Sequence, residues 1–220
     1  MSRLIQILIA VVVVIGALQW FVPRWAAGLM GRQLAHLDHG ARPIVAISAV
    51  PFWRLFQGRF QDLVITADNA DIKSLAVKRV HLIWINGGLA LSALEHGHIR
   101  VSHPGRLTVT AEVTAAALSH FLAREGTVSH PSVAITPKGV SLKGQIQLGG
   151  TVVPLDTRGP LNESANPRSL IYHPTSIDGL NLPVLTNVQL FNLSSMKLPL
   201  QLSIERVQLE NNVMALTIGN

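Results

Sequence analysis

In the stretch Arg106 to Thr114, RLTVTAEVT, the apolar residues Leu107, Val109, Ala111 and Val113 alternate with Arg106, Thr108, Thr110 and Glu112. A two-residue period puts the two sets on opposite faces of a strand, so this segment can bury one side and wet the other. The pattern repeats in GVSLKGQIQLGG, where Val140, Leu142, Ile146 and Leu148 oppose Ser141, Lys143, Gln145 and Gln147. Further strands are expected over Phe60 to Ala67, Leu75 to Asn86, His98 to His103, Ser132 to Thr136, Thr151 to Arg158, Leu170 to His173, Leu198 to Leu209 and Val213 to Ile218. Turn residues separate them: Asn86-Gly87-Gly88, Pro104-Gly105, Pro137-Lys138-Gly139, Gly149-Gly150 and Asn211-Asn212. Many one-sided antiparallel strands must curl on themselves or pack on helices to hide their apolar side.

Few helices are available for that. Thr114 to Gly126 has a Thr cap, Leu118, Phe121 and Leu122 at helical spacing, and a glycine stop. A weaker helical pattern runs from Pro183 to Phe191, and PFWRLF (Pro51 to Phe56) reads as a short helix with Gly58 at its exit. Trp25 to Ala41 is also helix-compatible, with Leu29, Leu34 and Leu37 apolar. The fold class expected is mainly β (α+β), a curved antiparallel sheet with one or two packed helices, behind an N-terminal membrane segment.

That segment is Leu4 to Val22, LIQILIAVVVVIGALQWFV. Its length is close to the ~20 apolar residues that cross a bilayer as a helix. Trp20 and Trp25 sit where amphipathic aromatics meet the headgroups, and Arg3, Pro23 and Arg24 bound the run. Ile15-Gly16-Ala17 is a weak cleavage pattern, so a signal peptide is the rival reading, although the apolar stretch is longer than the 7–15 residues usual for one. Positive charge on both sides leaves orientation open, and export of the C-terminal part is the expectation. The chain then divides into an anchor or signal over 1–24, a linker or helix over 25–43 and one domain over 44–220.

The net charge of +6 reflects few acids, 12 against 18 bases, and only 14% of residues are charged. A sparsely charged, basic surface suits anionic lipid headgroups. The bases are scattered, with no Lys or Arg run interleaved with aromatics, so nucleic acid is not expected as a partner. Without cysteine there is no disulfide, thiol catalysis or cysteine metal site.

The segment PFWRLFQGRFQDLVITADN (Pro51 to Asn69) resembles the opening block of the LmeA-like phospholipid-binding family, formerly a domain of unknown function (DUF2993). Four later blocks are similar to that family in the same order: LTVTAEVTAAALSHFL, PSVAITPKGVSLKGQIQLGGTVVPLDTRG, PTSIDGLNLP and LPLQLSIERVQLENNVMALTIG. Asn211-Asn212 departs from it, since the family more often has an acidic residue and glycine there. The resemblance implies a bacterial cell-envelope protein that binds phospholipid on an elongated, curved sheet with an apolar interior, tubular and lipid-binding-like. It brings no catalytic residues and no cofactor.

The residues add no chemistry of their own. His96, His98 and His103 lie in HGHIRVSH, but no carboxylate cluster accompanies them, so no metal is expected. Asp68 and Asp71 lack the spacing of a calcium loop. No nucleophile elbow, phosphate loop or His-Glu metal helix is present, which argues against an enzyme. The aromatics Phe52, Trp53, Phe56 and Phe60, with Trp84 and Phe121, either fill the core or contact lipid, and Arg54 and Arg59 are headgroup candidates. The expected role is a membrane-anchored envelope protein that binds phospholipid in an apolar cavity, in lipid transfer or envelope maintenance. The alternative is a non-catalytic module that docks other envelope proteins through a sheet edge or apolar patch.

Overall fold

The computed structural model describes residues 13–19, 21–24, 27–28, 43–72, 75–90, 92–93, 100–125, 128–148, 151–163, 167–174, 176–177, 188–196 and 200–220. Its main body is an antiparallel six-stranded sheet. The strands are β1 (Ile44–Ser48), β2 (Asp62–Ile72), β3 (Leu75–Ile85), β6 (Arg106–Thr114), β15 (Val213–Gly219) and β14 (Ser203–Glu210), in that order across the sheet. The short strands β4 (Gly88–Leu89) and β5 (Val101–His103) pair beside it. A second sheet runs β12 (Ser176–Ile177), β9 (Thr151–Gly159), β8 (Gly139–Leu148), β7 (Ser129–Thr136), and a third runs β10 (Leu161–Glu163), β11 (Ser169–Tyr172), β13 (Val188–Asn192).

The alternation sets the register. Leu63, Trp84 and Leu107 oppose one another across β2, β3 and β6, and so do Ile65, Leu82 and Val109. The second row continues through Ile218 to Ile204, and Val80, Ala111 and Leu216 form the next. All these positions share one face, while Thr66, His81, Thr108, Thr110 and Thr217 share the other, where Thr66 and His81 are joined side chain to side chain at 3.0 Å.

Two irregularities interrupt the period. In β2 and β3 the pairing passes from Asp68 and Arg79 to Ala70 and Val77, skipping Asn69 and Lys78, and Asn69 takes a left-handed φ of 59°. In β14 the register shifts between Ile204 and Arg206. The β14 shift, with Glu205 outside the pairing, is a bulge, whereas the gap in β2 and β3 leaves the register unchanged. Beyond the left-handed Asn69, Ala70 and Val77 are both buried, although strict alternation from Val80 would turn Val77 outward.

The helix α1 (Ala115–Glu125) follows β6 directly. Thr114 caps it, its hydroxyl accepting the Ala117 N–H at 3.2 Å. Ala115 and Leu118 enter the core, and the Ser119 hydroxyl joins helix to second sheet by donating to Ala115 O and accepting the Val133 N–H, both at 2.9 Å. The turn between β14 and β15 completes the junction: Asn212, with φ 63°, donates its N–H to Ile135 O and accepts from Ala115 N.

Several expectations are corrected. Val188–Asn192, expected at the end of a helix from Pro183, is strand β13 paired with β11; local helical spacing of Val188 and Phe191 yields to the cross-strand hydrogen bonds of a sheet edge. Residues 183–187 lie outside the described residues, as do Gly126 and most of Trp25 to Ala41. PFWRLF forms a 3-10 helix, Phe52–Gln57, closed by Gly58 at φ 72°, as a glycine exit requires. The β2 strand begins at Asp62 rather than Phe60, because Phe60 donates its N–H to Gly87 O in the approach to the sheet. The transmembrane helix expected over Leu4 to Val22 lies partly outside the described residues: 4–12 and 20 of the run are not among them, 13–19 and 21–24 are helical, and among the described residues no helix is long and apolar enough to cross a membrane.

Candidate lipid-binding site

The apolar face of the six-stranded sheet is covered unevenly. At one end Leu63, Trp84 and Leu107 are buried, and at the other Val77, Val113 and Met214 are buried beside α1. Between them Val45, Ile65, Leu82, Val109, Val80 and Ala111 are only half-buried, although the register puts them on the same face. They make a band of aliphatic surface across four strands, with no charged side chain among them. A sheet packed only to itself would fill these rows as densely as the ends.

The end near β1 is closed by aromatics. Phe60 and Trp84 meet edge to face with centroids 5.0 Å apart, and the Trp84 indole donates to Pro104 O at 2.6 Å. Gly87 lies against both rings: a Cβ there would come within 2.4 Å of Trp84 Nε1 and 2.7 Å of Phe60 Cε2. Phe60 and Trp84 are thus buried stoppers of this end. The other candidates of that segment behave differently. Phe52 is half-buried and holds Trp53 and Phe56 in edge-to-face contacts, while Trp53 is 50% and Phe56 62% exposed. Phe121 is half-buried on α1, packed against the core.

Arg54 and Arg59 are both exposed beside this aromatic turn, and the Arg59 N–H donates to Arg54 O at 2.9 Å. The Arg59 guanidinium contacts the His103 ring. His96 and His98 lie outside the described residues. Among the described residues no group of three His, Asp or Glu could hold a metal ion.

At the far end α1 packs on the sheet through Ala115 and Leu118, with an open cleft of about 420 Å³ along its flank, lined on the sheet side by Asn69 and Lys78 and on the helix side by His120 and Arg124. A second, of about 780 Å³, opens between α1 and β7, with Ser119, His130 and Val133 on its walls. Neither cleft is lined by a residue of the aliphatic band, which lies between the aromatic stopper and the buried Val77, Val113 and Met214.

The family model of LmeA-like phospholipid-binding proteins matches residues 17–218, nearly the whole chain. The chain belongs to the LmeA-like phospholipid-binding family. No curated protein and no solved structure matches it. In this LmeA-like chain the sequence singles out the aromatics but not the half-buried aliphatic band. Ile65, Leu82, Val80 and Val109 carried a signal only in the phase of their alternation, which gives a face but not its coverage. Gln19 was also missed. It is the polar residue near the end of the apolar run, and its side chain amide donates to Ala49 O while its Oε1 accepts the Phe52 N–H at 2.8 Å.

Proposed function

We propose that this protein is a membrane-anchored, single-pass envelope protein whose extracytoplasmic domain holds phospholipid acyl chains along the half-buried aliphatic band of its six-stranded sheet. The single observation behind the reading is the incomplete cover over Ile65, Leu82, Val80, Val109 and Ala111 in a member of a phospholipid-binding family. Acyl chains laid on that floor gain about 0.8 kcal/mol per buried methylene, so burying even six supplies roughly 5 kcal/mol before ordering costs. The role is non-enzymatic, binding and carrying lipid in transfer or envelope maintenance, and the Leu4 to Val22 run keeps the site close to its source.

The test is direct. The chain from Trp25 onward, made in bacteria and purified without detergent, is expected to release phospholipid on organic extraction and mass spectrometry. Recovery of lipid-free, folded protein that takes up none from vesicles would remove the reading.

A further inference from the structure

The segment after β1 sorts its apolar side chains in two directions. Leu55 packs against the core and Phe60 is buried within it, but Val50, Trp53 and Phe56 point out at 61%, 50% and 62% exposure. Helical residues of the N-terminal run are outward in the same way, with Phe21 60% and Val14 56% exposed. Gln19 ties the two together: it is bonded to Ala49 and Phe52, the residues on either side of Val50-Pro51. Two exposed apolar elements are thereby held edge to edge, which a water-facing surface would not favour.

We propose that Val50, Trp53 and Phe56, pinned beside the N-terminal helix by Gln19, form a bilayer-docking face that seats the domain with its Phe60–Trp84 end against the membrane. The inference rests on the anchor of the proposed function and adds a fixed orientation to it. Continuity with the apolar run identifies the occupant. Gln19 stands three residues, about 4.5 Å of helix rise, before the end of the apolar run at Val22, so it sits near the edge of the hydrocarbon layer that the run would cross. Its hydrogen bonds then fix Ala49 and Phe52 at headgroup depth. Trp53 is the amphipathic aromatic that favours this level, Phe56 reaches further in, and exposed Arg54 meets anionic headgroups from the same turn. A partner protein would have no need of that depth, and a face made only for the core would not leave both rings in solvent.

The absence of cysteine makes the test clean. Single-cysteine variants Trp53→Cys, Phe56→Cys and, on the distant β7–β8 turn, Lys138→Cys carry an environment-sensitive fluorophore in the full chain. Each is reconstituted in vesicles of phosphatidylethanolamine and phosphatidylglycerol with nitroxide-labelled acyl chains. Labels at 53 and 56 are expected to be quenched about twofold or more, as for apolar faces buried ~5–10 Å deep, while the label at 138 is not. Adding Gln19→Ala is expected to lower quenching at 53 without changing incorporation; unchanged quenching would overturn the role of Gln19. Labels at 53 and 56 that stay open to aqueous iodide would overturn the docking face. Labels shielded from iodide but not reached by nitroxide would overturn it too, showing cover by protein, such as a second copy. Phospholipid extracted from the same samples is measured separately, so failed docking and failed lipid binding give distinct results.

Discussion

Trp84 and Phe60 stand edge to face, 5.0 Å between centroids and 78° between planes, with Gly87 close against both. The pair closes one end of the sheet interior, and its geometry depends on a residue without a side chain. Trp84→Ala is expected to cost about 3–5 kcal/mol, the range for emptying a buried aromatic site. Gly87→Ala is expected to destabilise comparably with overpacked cores, by about 1–3 kcal/mol, because the new methyl must displace a ring. Chemical denaturation of the purified variants measures both.

Filling the aliphatic band should separate binding from folding. Ala111 is half-buried in the middle of the band, opposite Val80 and Leu216. Ala111→Trp is expected to reduce co-purified phospholipid several-fold, with the circular dichroism spectrum unchanged. Unaltered lipid content would show that the chains lie elsewhere.

Ser119 is the hinge pin between α1 and the second sheet. Ser119→Ala removes the acceptor of the Val133 N–H, leaving a donor beside a buried side chain without its partner. The expected loss is about 1–3 kcal/mol. Ser119→Cys, which restores only a weak acceptor, is expected to recover little of it in the same denaturation assay.

Burial raises the Tyr172 hydroxyl above its ordinary pKa of 10.0, with the hydrogen bond to Thr157 at 3.0 Å opposing in part. The folded state therefore keeps this proton to higher pH than the unfolded chain does. Its contribution is fully present below pH 10.0 and is lost as pH rises through the folded-state value. Stability measured from neutral pH upward is expected to fall more steeply above that point in the natural chain than in Tyr172→Phe.

The β architecture was legible because side-chain alternation is a local property of strands. RLTVTAEVT became β6 with its four apolar residues on one face, and the Thr114 cap opened α1 as its sequence indicates. The family resemblance, carried by blocks in order along the chain, holds over residues 17–218. Val188–Asn192 was misread because five residues cannot distinguish a helical from an extended period, and pairing with β11 decides it. Val77 and Ala70 were not legible as core either, since strict alternation from Val80 turns Val77 outward and nothing local marks the left-handed Asn69 that interrupts the strand beside them.

The sequence by itself determined that strands with one apolar face would dominate, where their turns fall, and that an apolar run precedes them. Those are matters of period and composition, readable residue by residue. Only the tertiary structure decided how that face is covered: Trp84 and Phe60 buried as a stopper, Ile65, Leu82 and Val109 left half-open, Trp53 and Phe56 turned outward. Coverage depends on which distant segments pack over a position, and no local pattern encodes that.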